Sequence, residues 1–143
     1  MKDRTATVLE GGVGGYHTYR IPAAVNDDAG RLYLFCEGRV ASSSDFDATH
    51  LLLLKSEDNG ESWSGPQLIW NEGKTEDRIT IGNPCPVYDS ETDTLLLLFT
   101  RNNEGVFFTK SEDRGETWTE PREISEAVTP RHFKRYWTGP GHG

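Results

Sequence analysis

The chain has 143 residues, long enough for one compact domain with a hydrophobic core. Its 15 basic and 23 acidic side chains give a formal charge of −8, which excludes a nucleic-acid or anionic-membrane binder built on a basic face and leaves any anionic ligand to local arginines. No run of ~18 apolar residues occurs and MKDRTATVLEGG lacks an apolar stretch, so neither a transmembrane segment nor a signal peptide is expected, and the compartment stays unassigned.

Apolar residues at helical spacing are scarce, whereas short β-rich runs separated by Gly, Asn, Asp and Pro recur throughout, predicting an all-β chain. A first strand is expected over 21–26, starting within YRIP (19–22), with Arg20 at its entrance and Pro22 stopping regular pairing just beyond it. An arginine held there is suited to bidentate capture of a carboxylate, although the tetrapeptide standing alone reads more readily as a solvated surface arginine. The turn DDAG (27–30) leads to a strand over 32–37 that runs into EGR (37–39), and SSSDFD (42–47) feeds a strand over 50–56. Further strands are expected over 67–70, 85–88 and 94–101, then, after the turn NNEG (102–105), over 106–111 and 122–124. The runs LLLL (51–54) and LLLLF (95–99) have no polar alternation, so both strands are expected to be covered on both faces.

Cys36 and Cys85 stand singly and are expected to be small buried residues in strands. His17, His50, His132 and His142 have no metal-ligand spacing and are read as structural or exposed. SEDNGESW (56–63) returns 55 residues later as SEDRGETW (111–118). In this pattern Ser and Asp can accept hydrogen bonds from the backbone of a tight turn, Gly supplies a positive φ, and Trp buries a large ring. A calcium loop counted from that Gly would put Lys55 and Lys110 where a carboxylate is required, so no metal is expected. The order strand, turn, strand, octapeptide, strand recurs about every ~50 residues, a repeat length of propeller blades, and the chain amounts to ~2.5 of them.

The octapeptide resembles the Asp box of the sialidase superfamily, a hairpin-turn repeat on the rim of a β-propeller, away from the active site. Asp boxes occur in unrelated propellers too, so they speak for fold more than for function. YRIP, the run from EGR through Asp45 into the first octapeptide, IGNPCPVYD (81–89), LLLLFTRN (95–102) and TGPGHG (138–143) together resemble exo-α-sialidases over almost the whole chain. The resemblance implies a six-bladed β-propeller of which the chain supplies roughly the first two to three blades, with residues 1–143 forming part of one sialidase domain. It implies a glycoside hydrolase that releases terminal sialic acid from glycans, glycoproteins or glycolipids, without a cofactor.

Carried over by position, Arg20 matches the first of three arginines that grip the sialic acid carboxylate, and Asp45 matches the acid/base aspartate on a loop. Glu37 and Arg39 match a pair beside the pocket, with Arg39 near the sugar O4 hydroxyl, and Asn83 falls where relatives place a polar O4 contact. Asp47 is the rival to Asp45, otherwise read as a solvated loop carboxylate. The family's tyrosine nucleophile, its glutamate partner and the other two arginines have no match here, and Tyr88 and Tyr136 are read as packing residues. By this reading the isolated chain is inactive. Two other classes stay open: a non-catalytic sialidase-like propeller that binds glycans or proteins, and a different glycosidase on a related propeller, which YRIP with its downstream run disfavours.

Overall fold

The computed structural model describes residues 5–130, 132–139 and 141; His142 and part of the TGPGHG terminus lie outside them. All eight expected strands form: β1 (Thr18–Asn26), β2 (Leu32–Arg39), β3 (Thr49–Ser56), β4 (Gln67–Trp70), β5 (Ile81–Asp89), β6 (Thr94–Arg101), β7 (Gly105–Ser111) and β8 (Arg122–Glu123). One short helix, α1 (Ser125–Val128), and a single 3₁₀ turn (Thr75–Asp77) complete the regular structure among the described residues. The strands make two four-stranded antiparallel sheets, in order β1-β2-β3-β4 and β5-β6-β7-β8, each a meander with the form of a propeller blade.

The main core lies between the two blades. Tyr33, Phe35, Leu51 and Leu53 of the first meet Ile81, Leu95, Leu97 and Phe99 of the second. A smaller cluster on the far face of the first blade gathers Cys36, Leu52 and Leu54 under Val8, Leu9, Tyr16 and Trp63. Leu51 to Leu54 are therefore all buried, as the unbroken apolar run requires. The second run differs. Leu95, Leu97 and Phe99 are buried but Leu96 and Leu98 only half so, and Leu98 borders an open pocket that it shares with Val128, Pro130, Phe133 and Trp137. Cys36 and Cys85 are buried free thiols in β2 and β5, and burial beside Glu37 pushes the Cys36 thiol up to about 12.

Strands β1 and β5 start earlier than local sequence indicates, since each runs through a bulge. Pairing with β2 shifts between Arg20 and Ala23, and pairing with β6 shifts between Gly82 and Cys85. In both, the residue before a proline turns left-handed, Ile21 at φ 54° and Asn83 at φ 55°. Proline cannot donate to the ladder, so a bulge is where a strand tolerates it. Arg20 consequently lies inside β1, paired with Glu37, rather than at its start.

The two octapeptides fold alike. Gly60 N–H donates to Ser56 Oγ (2.8 Å), and Asp58 accepts from the Ser62 backbone (2.8 Å) and hydroxyl (2.5 Å). Gly115 N–H likewise donates to Ser111 Oγ (2.8 Å), and Asp113 accepts from Thr117 N–H (2.9 Å) and hydroxyl (2.5 Å). Each turn needs two left-handed positions rather than one: Asn59 and Gly60 (φ 57° and 86°), Arg114 and Gly115 (φ 60° and 79°). The turns also join the blades. Gln67 Nε2 donates to Gly115 O (2.9 Å), Lys55 pairs with Glu116, and Trp118 meets Phe35 edge-on at 5.9 Å.

These turns carry a pH signature. The hydroxyl and backbone donors of Ser62 and Thr117 hold the Asp58 and Asp113 carboxyls down to about 2. A folded-state value below the unfolded one contributes stability above the unfolded value that is lost as pH falls toward the folded value. Acid titration of unfolding is expected to show a loss between about pH 4 and pH 2 that Asp58→Asn with Asp113→Asn removes. Separately, Arg114→Asn is expected to raise stability by about 0.5–1 kcal/mol in thermal melts, because Asn tolerates the left-handed region and Arg does not.

Candidate active site

The ends of β1, β2 and β5 that meet beside the two bulges border a cleft of about 350 Å³. Its lining includes all five residues singled out in sequence, Arg20, Glu37, Arg39, Asp45 and Asn83, contributed by both blades. The register explains the grouping: Arg20 is opposite Glu37 on neighbouring strands, and Glu37 and Arg39, two apart on β2, share a face.

Arg39 is almost wholly buried, its side chain 3% exposed. Its Nε and Nη2 donate to Glu37 Oε2 (3.1 and 2.8 Å), and its Nη1 donates to Ser43 O (2.5 Å). The same Nη2 lies 2.6 Å from Asp45 Oδ1. Glu37 is equally buried and turns its other oxygen to the second blade, where Oε1 accepts Asn83 N–H (3.0 Å). A buried charge pair is tolerated when its polar atoms are also satisfied, and here each Arg39 nitrogen and both Glu37 oxygens have a partner. Both oxygens of Glu37 are thus engaged, and its role in the geometry is to hold Arg39.

Asn83 borders the cleft but donates both amide hydrogens inward, to Thr100 Oγ1 (2.8 Å) and Asn103 Oδ1 (2.7 Å), so what it can offer a ligand is its carbonyl oxygen. Its own backbone carbonyl accepts Thr138 Oγ1 (2.5 Å). Gly82, one residue earlier, is where the chain passes closest to Glu37: a Cβ built there would run into the Glu37 carboxylate.

Asp45 stands out from this buried set. Its side chain is 60% exposed, and its Oδ1 is shared by Arg39 and by Arg20, whose Nη1 is 3.2 Å away. Arg20 is itself 46% exposed. An accessible carboxyl therefore sits against two guanidiniums at the mouth of a cleft, a pairing that another carboxylate could replace.

Asp47 is not the solvated loop carboxylate expected. Its Oδ2 accepts Ser42 Oγ–H (2.9 Å), its Oδ1 accepts Ala48 N–H (3.0 Å), and its backbone carbonyl accepts Thr80 Oγ1 (2.9 Å). The Ser42 hydroxyl and the Ala48 amide hold its carboxyl below the ordinary range. Asp47 fastens the loop that carries Asp45.

Tyr88 and Tyr136 fill structural places, with hydroxyls on Asp93 (2.9 Å) and on Phe133 O (2.6 Å). His50 lies under Tyr16, and burial lowers its affinity for a proton, whereas His17 and His132 are exposed. Phe46, Arg135 and Trp137 also line the cleft, and no local pattern singles them out. Phe46 adjoins Asp45, and its 64% exposure is unusual for its type; Arg135 and Trp137 reach the cleft only because the segment after α1 folds back over Asn83 and Asn103.

No family model matches the chain. Among curated relatives, an exo-alpha-sialidase of Arthroderma benhamiae is 29% identical over 94% of this chain and 40% of its own length. Sialidase-3 of Rattus norvegicus is 33% identical over 88% of this chain and 34% of its own length. Among solved structures, the Hadza microbial sialidase Hz136 superposes with a TM-score of 0.86 at 23% identity, over 95% of this chain and 32% of that one. The leech intramolecular trans-sialidase superposes with a TM-score of 0.82 at 12% identity, over 99% of this chain and 40% of that one. The expected resemblance to exo-α-sialidases holds in sequence, and the fold is that of the sialidase β-propeller, of which the chain supplies a part. It spans about 40% of the length of the first of these relatives.

The crowding at Gly82 is directly testable. Gly82→Ala is expected to force Glu37 away from Arg39 and to cost about 1–3 kcal/mol in denaturant unfolding, against little change for Gly65→Ala, where the added methyl meets open space. Equal effects at the two glycines would show that Glu37 is free to move aside.

Proposed function

We propose that this chain is the N-terminal portion of an exo-α-sialidase catalytic domain, residues 1–143 being part of one propeller domain whose octapeptides at 56–63 and 111–118 are Asp boxes. The complete enzyme would cleave terminal sialic acid from sialylated glycans, glycoproteins or glycolipids. The observation that carries this reading is the exposed Asp45 carboxyl bridging Arg20 and Arg39 at the mouth of the cleft.

Each residue has a distinct part in the chemistry. Arg20 receives the sugar carboxylate in place of Asp45, its guanidinium offering two parallel donors. Arg39, locked by Glu37, keeps one edge toward the cleft near O4, and Asn83 presents its carbonyl there. Asp45, freed from Arg20 and having taken up a proton from solvent, gives it to the departing glycosidic oxygen and then, as the carboxylate, takes a proton from the attacking water. A carboxylate nucleophile would be repelled by the substrate's own carboxylate, so the reading requires a neutral tyrosine, outside this chain, whose hydroxyl gives its proton to the family's partner glutamate as its oxygen bonds to the anomeric carbon, the bond to the aglycone oxygen breaks and a covalent intermediate forms with overall retention. The chain alone would lack that nucleophile and two of three carboxylate-binding arginines, and would be inactive.

The complete enzyme is expected to hydrolyse a fluorogenic sialoside. Arg20→Ala should abolish this or raise KM steeply, Asp45→Asn should abolish it, and Asp47→Asn should leave measurable turnover. Because Asp45 competes with the substrate for Arg20, Asp45→Asn should also bind free sialic acid about 2- to 5-fold more tightly by calorimetry, the worth of an exposed ion pair. Wild-type protein that binds sialic acid without hydrolysing any sialoside would instead favour a binding propeller.

A further inference from the structure

The loop that carries Asp45 is fastened firmly at its base and lightly at its tip. At the base, Val40 N–H donates to Ala48 O (3.0 Å), and Asp47 holds Ser42, Ala48 and Thr80. Midway the Ser43 carbonyl accepts Arg39 Nη1 (2.5 Å), and beyond it the tip reaches the rest of the molecule through Asp45 on the two arginines and through Phe46, whose ring lies under the Arg135 guanidinium, 5.9 Å from carbon to centroid.

Arg135 belongs to a part of the chain that is itself pinned. On one side of it Tyr136 N–H donates to Asn103 O (2.8 Å), and beyond that Thr138 Oγ1 donates to Asn83 O (2.5 Å). Both anchors are in the second blade, so Arg135 is a cation held over the cleft by one blade while Phe46 rides on a loop of the other. The electron-rich ring face attracts the guanidinium, whose weakly hydrated charge makes such a contact more readily than an ammonium does. Catalysis as proposed above requires Asp45 to leave Arg20, and that removes part of the tip's hold just when the acid must be well placed.

We propose that Arg135 is a positioning residue: by its cation–π contact with Phe46 it keeps the Asp45 loop closed over the cleft after substrate has displaced Asp45 from Arg20. The inference rests on the sialidase reading for its catalytic consequence, while the clasp itself is a property of the fold. It also accounts for a large aromatic ring left 64% exposed beside the catalytic acid.

The test uses the complete enzyme with Arg135→Ala, Phe46→Ala, the double variant, Arg135→Lys and Phe46→Trp. Amide hydrogen exchange at Ser44 to Phe46 is expected to quicken about 2- to 5-fold in either alanine variant, the size of an exposed cation–π contact, with kcat on a sialoside falling to the same degree and KM unchanged. The double variant should match either single one, Arg135→Lys should be intermediate, and Phe46→Trp should slow exchange. Unchanged exchange, or additive effects of the two alanines, would overturn the clasp. A raised KM at constant kcat would make Arg135 a substrate contact and overturn the positioning role. Should the wild-type enzyme cleave no sialoside, the sialidase reading falls while the exchange measurements still decide the clasp.

Discussion

The buried guanidinium of Arg39 is the constraint around which this molecule is arranged. A cation that has lost nearly all contact with water must have its donors paired, and the partners come from three places: Glu37 two residues back on the same strand, the Ser43 carbonyl in the following loop, and Asp45 at the loop tip. Glu37 can serve only because Asn83 N–H satisfies its second oxygen and because Gly82 leaves room for it. One charge therefore ties β2, the loop after it and the first strand of the next blade into a single network. The cleft is thereby a property of two blades together.

The paired bulges show how a repeated fold yields a site that is not repeated. Both β1 and β5 bend at a left-handed residue followed by proline, and the two differ in the residue just before the bend. In the first blade that residue is Arg20, which projects a cation; in the second it is Gly82, which withdraws to admit Glu37. A positive φ is strained for the β-branched Ile21, a cost of order 1–3 kcal/mol that the surrounding sheet must offset and that fits a position kept for function. The octapeptides act at the opposite level, on the scaffold. Their Asp carboxylates close the turns, and Gln67, Lys55 and Trp118 in and beside them stitch blade to blade.

Local patterns are enough to find all eight strands, both octapeptide turns and the burial of Leu51 to Leu54, because each depends on residues close in sequence. They overstate the second leucine run, since a pattern records what a strand can bury, whereas what covers Leu96 and Leu98 is a matter of neighbours. Arg114 in a left-handed turn is invisible to them for a related reason: the octapeptide imposes the conformation, and the residue at that position merely endures it. Asp47 reads as a spare carboxylate because its partners, Ser42 and Ala48, become partners only when the loop closes.

What the sequence determined by itself is the set of strands, the blade-like repeat and, through its resemblance to exo-α-sialidases, the five residues that border the cleft. Those are matters of local propensity, spacing and short motifs, which survive being read one segment at a time. Only the tertiary structure decided how the five divide their work: that Glu37 faces inward to lock Arg39, that Asn83 gives its amide hydrogens to the core, and that Asp45 lies on Arg20. It alone brought Arg135 from the far end of the chain onto Phe46. The physical reason is that partner choice in a buried polar network is set by where separate strands place their donors and acceptors in space, and no short stretch of sequence carries that information.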